Sequence, residues 1–390
     1  MTDRTFFCTP NQMRGSSILL PEKRKPLLLM RKMEPVLARS EELLKEIHAL
    51  VDRPIRLMVA CGNQNRTLLK NYVRAKLPAS LELVAGPGCS VCVMPAGHID
   101  AFVKVASQPG VITAVCEDLL QVRGSKESLG SICAKGARVE LINTPQEALD
   151  IARHEPDSTV VYVAAGFEAT APNVAETILC AAESGLENFC VIPSIRLLPP
   201  TIGRLMENEK LHIEGLLCSD SNNVVSDTDA YSHLARKYNL PCCIAGFTLE
   251  DVLEGILFLV RQVKAGTAEV SDDSAFSWSP LETNTALRIV SEVFCAVETD
   301  WRGLGTISRS GFVIRDELAL FDATRRFNVH FTEGHENSKC QCNEIISGRS
   351  IPTDCPFFGM SCTPASPVGP CMISDEGICH SYFKYELQSP

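Results

Sequence analysis

Apolar residues return along the chain in two rhythms. In LARSEELLKEIHALV, Leu43, Leu44, Ile47 and Leu50 recur at the three-to-four spacing of one helical face, and Pro54 ends the pattern. Short apolar runs then alternate with amphipathic stretches. Runs at 55–60, 81–85, 111–115 and 139–142 predict strands, with helices over 66–76 and 98–106 between them. A second series follows at 160–164, 189–192, 215–217 and 242–245, with helices over 174–184, 201–207 and 231–238 and a longer one over 249–264. Strands alternating with helices of this length predict parallel sheets joined by crossover helices. The expected fold class is α/β: two similar parallel-sheet domains, over 52–150 and 151–266, after an N-terminal extension and helix over 1–51. Residues 267–390 form a smaller region, helical over 279–294. Its last sixty residues are rich in Cys, Pro, Gly and Ser and lack the apolar periodicity that fills a core. A metal or cross-links are expected to organise it.

Composition narrows the function. Of 390 residues, 45% are apolar and 22% charged, the balance of a globular protein with proper cores. A net charge of −10 leaves no basic surplus for neutralising phosphates, so nucleic acid is not an expected partner. The start MTDRTFFCTPNQMRGS lacks the features of a secretory signal, and no apolar run is long enough to span a bilayer. A cytoplasmic, membrane-free location is the expectation.

The 18 cysteines change the picture most. In a large chain without a signal they are expected to be mostly reduced, which favours metal binding or redox catalysis over a disulfide framework. Cys180, Cys190, Cys242, Cys243 and Cys295 lie inside apolar segments and read as small core residues. Six others crowd the tail. Four of them read Cys340-x14-Cys355-x6-Cys362-x16-Cys379, without the tight pairs that zinc ribbons use. Four spaced thiolates on a Pro- and Gly-rich loop suit a [4Fe–4S] cluster, with zinc the alternative. The remaining two, Cys342 and Cys371, are able to form a disulfide beside it.

Two further thiol motifs follow strands. In GPGCSVC, Cys89 and Cys92 stand between a strand and a helix, as thioredoxin-like redox pairs do; half of a structural zinc site is the alternative. Cys61, in VACGNQN, likewise ends a strand, at the edge where open α/β sheets bind ligands. If the two strands are neighbours, the three thiols share one edge, and Cys61 becomes a candidate for holding a soft metal or for nucleophilic work. Glu168, in GFEAT, ends the strand at 160–164 and is placed for acid–base or ligand-orienting work, or is a strand-end carboxylate without a role. After the strand at 242–245, Thr248 stands where a second carboxylate would be expected.

These motifs in this order resemble the HypD family, maturation proteins of nickel–iron hydrogenases. WRGLGTI (301–307), PTDCPFFGMSCTP (352–364), PVGPCM (367–372), EGICHSYFKY (376–385) and the tail cysteine spacing carry the resemblance. It implies three domains, two α/β and one holding a [4Fe–4S] cluster on Cys340, Cys355, Cys362 and Cys379. It also implies a redox-active scaffold that, with a HypC-type chaperone and a HypE-type cyanide donor, assembles an iron atom bearing cyanide and carbon monoxide. In that picture Cys61 holds the iron, and Cys89 and Cys92 are a redox pair coupled towards a Cys342–Cys371 disulfide and the cluster.

The chain departs from the family pattern in the cleft. Where the family has Cys-Gly-x-His-x-His, this chain reads Cys61-Gly62-Asn63-Gln64-Asn65-Arg66, and a Pro-Gly-His segment aligns with Ser219-Asp220-Ser221. Lost imidazoles remove proton shuttles and hydrogen-bond donors. Two alternatives therefore stand beside the family function: an iron–sulfur thiol–disulfide electron-transfer protein with another cargo, and a non-redox zinc scaffold.

Overall fold

The computed structural model describes residues 25–208, 210–219, 228–272, 280–335 and 339–387. The alternating runs become strands: β1 (Ile55–Cys61), β2 (Leu81–Gly88), β3 (Val111–Val115), β4 (Arg138–Leu141), β5 (Thr159–Gly166), β6 (Phe189–Ile195), β7 (Gly215–Ser219) and β8 (Cys242–Ala245). They form two sheets, both parallel throughout, with helices between the strands. The fold is α/β, as the patterning predicts.

The grouping of strands differs from the two successive series. One sheet has the order β2-β1-β7-β8-β9, where β9 is Val270–Asp272; the other has β4-β3-β5-β6. The second sheet is thus built from chain inserted between β2 and β7, and the boundary drawn near residue 150 falls inside it. Every one of these strands except the edge strands β4 and β9 is largely buried on both faces and reads as the same apolar run, so the pattern identifies strands without saying which pair.

Within each strand, alternate residues face opposite cores. Leu57 and Val59 of β1 meet Leu43, Ile47 and the helix Leu249–Ala265, while Met58 and Ala60 meet Leu198, Ile202 and Tyr231. In β5, Val160, Tyr162 and Ala164 pack on the helix Ala171–Glu183, and Val161 and Val163 face the largest core. That largest core contains Ile345, Ile346, Met372, Ile378 and Tyr382 of the tail. The tail, read from its composition as unable to fill a core, thus shares one: its apolar residues are too irregularly spaced to show a period, yet the folded loops point them one way.

An antiparallel hairpin, β10 (Phe294–Trp301) and β11 (Gly305–Ile314), escaped the sequence reading. Its signal was present in the β-branched and aromatic residues on either side of the Arg302-Gly303-Leu304 turn. The expected core cysteines Cys190, Cys242 and Cys243 are buried, and Cys180 and Cys295 are half-buried.

Close approach of β2 to β1 depends on glycine. A Cβ on Gly88 would fall on the Ala60 carbonyl oxygen, a backbone atom unable to move aside. Gly88→Ala is expected to cost about 3 kcal/mol or more, read as a lower midpoint in urea unfolding at unchanged slope.

Candidate functional site

Cys61 ends β1, and its Cα is paired with Gly88, the residue before Cys89. The strand edge therefore brings Cys61 to the GPGCSVC turn. The chain leaves β1 for β2 on one side, while β7 returns on the other. Cys61 thus stands at the switch point of the sheet, where α/β proteins form their ligand crevice. It occupies the N-cap position of the helix Gly62–Lys70, and its thiol is buried. Burial raises its pKa; the backbone N–H of Gln64, the Ser219 hydroxyl and the Asn63 N–H work the other way, while nearby Glu376 raises it further.

Gln64 and Arg66 occupy the positions where imidazoles were expected, with Asn65 between them. Gln64 is fully buried, and its Nε2 lies 2.9 Å from the Cys218 carbonyl oxygen, 2.8 Å from that of Ala245 and 3.2 Å from that of Gly246. It ties the carboxyl ends of β7 and β8 to the Cys61 loop. Asn65 donates to the carbonyls of Val59 and Cys61 at 2.8 and 3.0 Å. Neither group titrates, so this side of Cys61 offers hydrogen bonds and no proton acceptor. Ser219 is buried against Cys61; Asp220 and Ser221 lie outside the described residues.

A tail segment that sequence reading did not assign closes over Cys61. Asn63 Nδ2 donates to Glu376 Oε1 at 2.8 Å, and Arg66 pairs with Asp375 at 3.7 Å. Gly62 lies so close beneath Glu376 that any side chain there would strike its backbone. Burial raises the pKa of Glu376, with Asp118 adding to the effect. Its only signal in the sequence was its place in EGICHSYFKY.

Cys89 and Cys92 are joined as a disulfide, with Cα atoms 5.2 Å apart. The pair occupies its own turn, closed by Cys92 N–H to Cys89 O at 3.0 Å and Val93 N–H to the same oxygen at 3.2 Å. The following helix, Ala96–Ala106, starts only after Val93, Met94 and Pro95. The pair thus stands about one turn ahead of that helix rather than at its N-terminus.

Glu168 follows β5 in a short 3-10 turn and is fully buried. One carboxyl oxygen accepts a short hydrogen bond from the Leu198 N–H; the other, Oε2, meets no partner. Burial pushes the carboxyl up to about 8, so near neutrality it is protonated and can donate a proton. It reaches Tyr231 electrostatically, and the buried Tyr231 hydroxyl, near Cys218, meets no hydrogen-bond partner. Thr248, where a second carboxylate was expected, caps the helix Leu249–Ala265 by accepting from the Asp251 N–H at 3.2 Å.

In the tail, the sulfurs of Cys342 and Cys371 approach to 2.7 Å, and Cys371 also meets Cys379. Cys340, pushed up to about 12 by burial, feels Cys342, Cys355 and Cys362. Cys362 Sγ accepts the Val368 N–H at 3.3 Å. Cys342, Cys355, Cys362, Cys371 and Cys379 belong to the same buried core as Cys89 and Cys92, with Cys340 packed against it. Among the described residues no three Cys, His, Asp or Glu side chains close on a point as one metal ion requires. As a donor set, the gathered thiols with an N–H already on sulfur fit the chemistry of a thiolate-held iron–sulfur cluster. No helix among the described residues is long and apolar enough to cross a membrane.

Comparison with known proteins places the chain in a family. The family model described as HypD, "Hydrogenase formation hypA family", matches residues 38–386. The hydrogenase maturation factor HypD of Azotobacter vinelandii is 37% identical over 360 residues, covering 90% of this chain and 95% of that protein. The hydrogenase maturation factor HypD of Escherichia coli K12 is 32% identical over 368 residues, covering 94% of this chain and 98% of that protein. A putative hydrogenase expression/formation protein of Methanocaldococcus jannaschii is 33% identical over 331 residues, covering 85% and 92%. The chain belongs to the HypD family.

Proposed function

We propose that the chain is a hydrogenase maturation factor that acts as a redox-active scaffold, with an iron atom as its cargo at the Cys61 edge. The observation that carries this reading is the pairing of Cys61 with Gly88, which sets a buried thiol beside a disulfide turn at a sheet switch point. Cys61 supplies a thiolate once its proton is released, which metal binding drives. Glu168, protonated near neutrality, is a proton-holding group, and Glu376, whose pKa burial raises, closes over Cys61. Cys89 and Cys92 exchange two electrons and two protons between disulfide and dithiol. Cys342 and Cys371, at 2.7 Å, form a second such pair within the same core. Cys340, Cys355, Cys362 and Cys379 would hold a [4Fe–4S] cluster, whose chemistry when bound is one-electron storage.

A HypC-type chaperone and a HypE-type cyanide donor belong to this reading as partners. They are tested together by infrared spectroscopy of the chain purified with both. Cyanide and carbonyl stretching bands are the expected result; their absence in a complex that contains iron sinks the maturation role. That negative outcome would favour the second reading, an electron-transfer protein with another cargo. Gln64, which fills an imidazole position with a group unable to shuttle protons, is the observation on its side. Iron and zinc analysis of the same sample separates both from a zinc scaffold.

A further inference from the structure

The tail loop between Cys362 and Cys371 lays its backbone against two sulfurs. Cys362 is fixed from both sides: its N–H donates to the Phe357 carbonyl at 2.8 Å, and its carbonyl accepts the Gly359 N–H at 3.1 Å. The chain then reverses over Thr363-Pro364-Ala365-Ser366. Pro364 takes the second position of the turn, where a fixed φ is favoured, and the Ser366 N–H closes the turn on the Thr363 carbonyl at 3.0 Å. The Thr363 N–H donates in return to the Ser366 carbonyl at 3.3 Å, and the Thr363 hydroxyl also accepts from the Ser366 N–H at 3.2 Å. Pro367 has no N–H to offer. The next donor on the returning backbone is Val368, and its N–H meets Cys362 Sγ at 3.3 Å. The Val368 side chain packs against the largest core, which holds that N–H in place.

Gly369 continues the approach. Its φ of −118° is open to any residue, so the missing side chain answers to space rather than to backbone freedom. A Cβ there would come 2.7 Å from Cys340 Sγ. Residues 368–369 therefore seat on two of the four spaced tail thiols, one through a hydrogen bond and the other through close contact. Closing the loop does not require the bond to sulfur, because the pairing of Thr363 with Ser366 already holds the reversal. A thiol sulfur is a weak acceptor and gains much as an acceptor when it becomes a thiolate. The Val368 donor is thus built for charge on Cys362.

We propose that Val368 is a positioning residue whose backbone N–H holds Cys362 as a thiolate ligand and raises the reduction potential of an iron–sulfur cluster on the tail. The inference rests on the cluster reading given above. Uptake of one electron, with no proton transferred, adds negative charge to the ligating sulfurs. A donor fixed on one of them stabilises that state more than the oxidised one. Gly369 leaves Cys340 room to keep its place beside that donor.

The test uses the full chain, reconstituted anaerobically with ferrous iron and sulfide and titrated with dithionite, which supplies the electron. With isotopically labelled valine nitrogen, pulsed electron paramagnetic resonance of the reduced sample should show a coupling to the label. Val368→Ala keeps the N–H and loses only the label, so the coupling should vanish while the midpoint potential stays. Val368→Pro removes the N–H and should lower the midpoint by roughly tenfold in the equilibrium constant, about 59 mV for one electron. If Val368→Pro does not load, the labelling result decides by itself. An absent coupling, a coupling that survives Val368→Ala, or a loaded Val368→Pro with an unchanged midpoint overturns the proposal. A chain that forms no thiolate-to-iron chromophore overturns the cluster reading as well, so the two failures are told apart.

Discussion

Cys61→Ala is expected to abolish iron loading at the β1–β2 edge while a tail-bound cluster keeps its visible thiolate-to-iron absorbance. Cys61 is the cysteine at the carboxyl end of β1, and its register with Gly88 places it there. The tail thiols sit in a separate part of the largest core, which Cys61 does not enter. Removing one buried sulfur leaves a small cavity, and a cavity of that size costs about 1–2 kcal/mol. The variant therefore remains folded, and lost iron cannot be put down to unfolding. Iron per chain, measured with and without anaerobic addition of iron, should drop by the cargo atom alone. A variant that loses the visible chromophore yet still loads iron at the edge would show that the assignment of the two sites is inverted.

The second large effect concerns pH. The folded chain keeps a proton on Glu168 up to about 8, whereas the unfolded chain releases it near the usual 4.5. Between those values the folded state binds the extra proton, so unfolding free energy falls as pH rises. The penalty is absent below about 4.5, grows through the window and is complete above about 8. At about 1.4 kcal/mol per pH unit its ceiling is on the order of 4–5 kcal/mol. Glu168→Gln keeps the oxygen that accepts the Leu198 N–H and removes the ionisation. The variant should therefore match the natural chain near pH 4.5 and exceed it increasingly towards pH 8.5 in urea unfolding. Taking the difference between the two curves removes Glu376, which burial also raises. Two parallel curves would mean that Glu168 ionises as it would in water, and its place as a proton-holding group would go with it.

Much of the fold was legible because it is local. Apolar runs of three to six residues, separated by helical periods, located β1 to β8 within a few residues. The meeting of Cys61 with the Cys89–Cys92 turn was conditional on their strands being neighbours, and β1 and β2 are neighbours. Other parts were not legible. Nothing in the run at 215–217 marks it as the partner of β1 rather than of β6, because strands buried on both faces carry no alternation to distinguish them. The helix expected over 98–106 is present and begins two residues earlier, just after Pro95, whose fixed φ suits the entry to a helix. Glu376 was overlooked because its approach to Cys61 spans more than three hundred residues of chain.

By itself, the order of amino acids determined which segments extend, which coil, and which thiols stand at strand ends, since propensity and periodicity act over a few neighbours. Only the tertiary structure decided the company those groups keep. It interleaved two sheets, lowered the 374–377 loop onto Cys61, gathered the tail sulfurs into the core of the disulfide turn, and sealed Glu168 from water. Each of these is a contact between distant segments, chosen by surface complementarity and burial of the whole chain, and burial is what changes the proton affinity of the groups on which the chemistry depends.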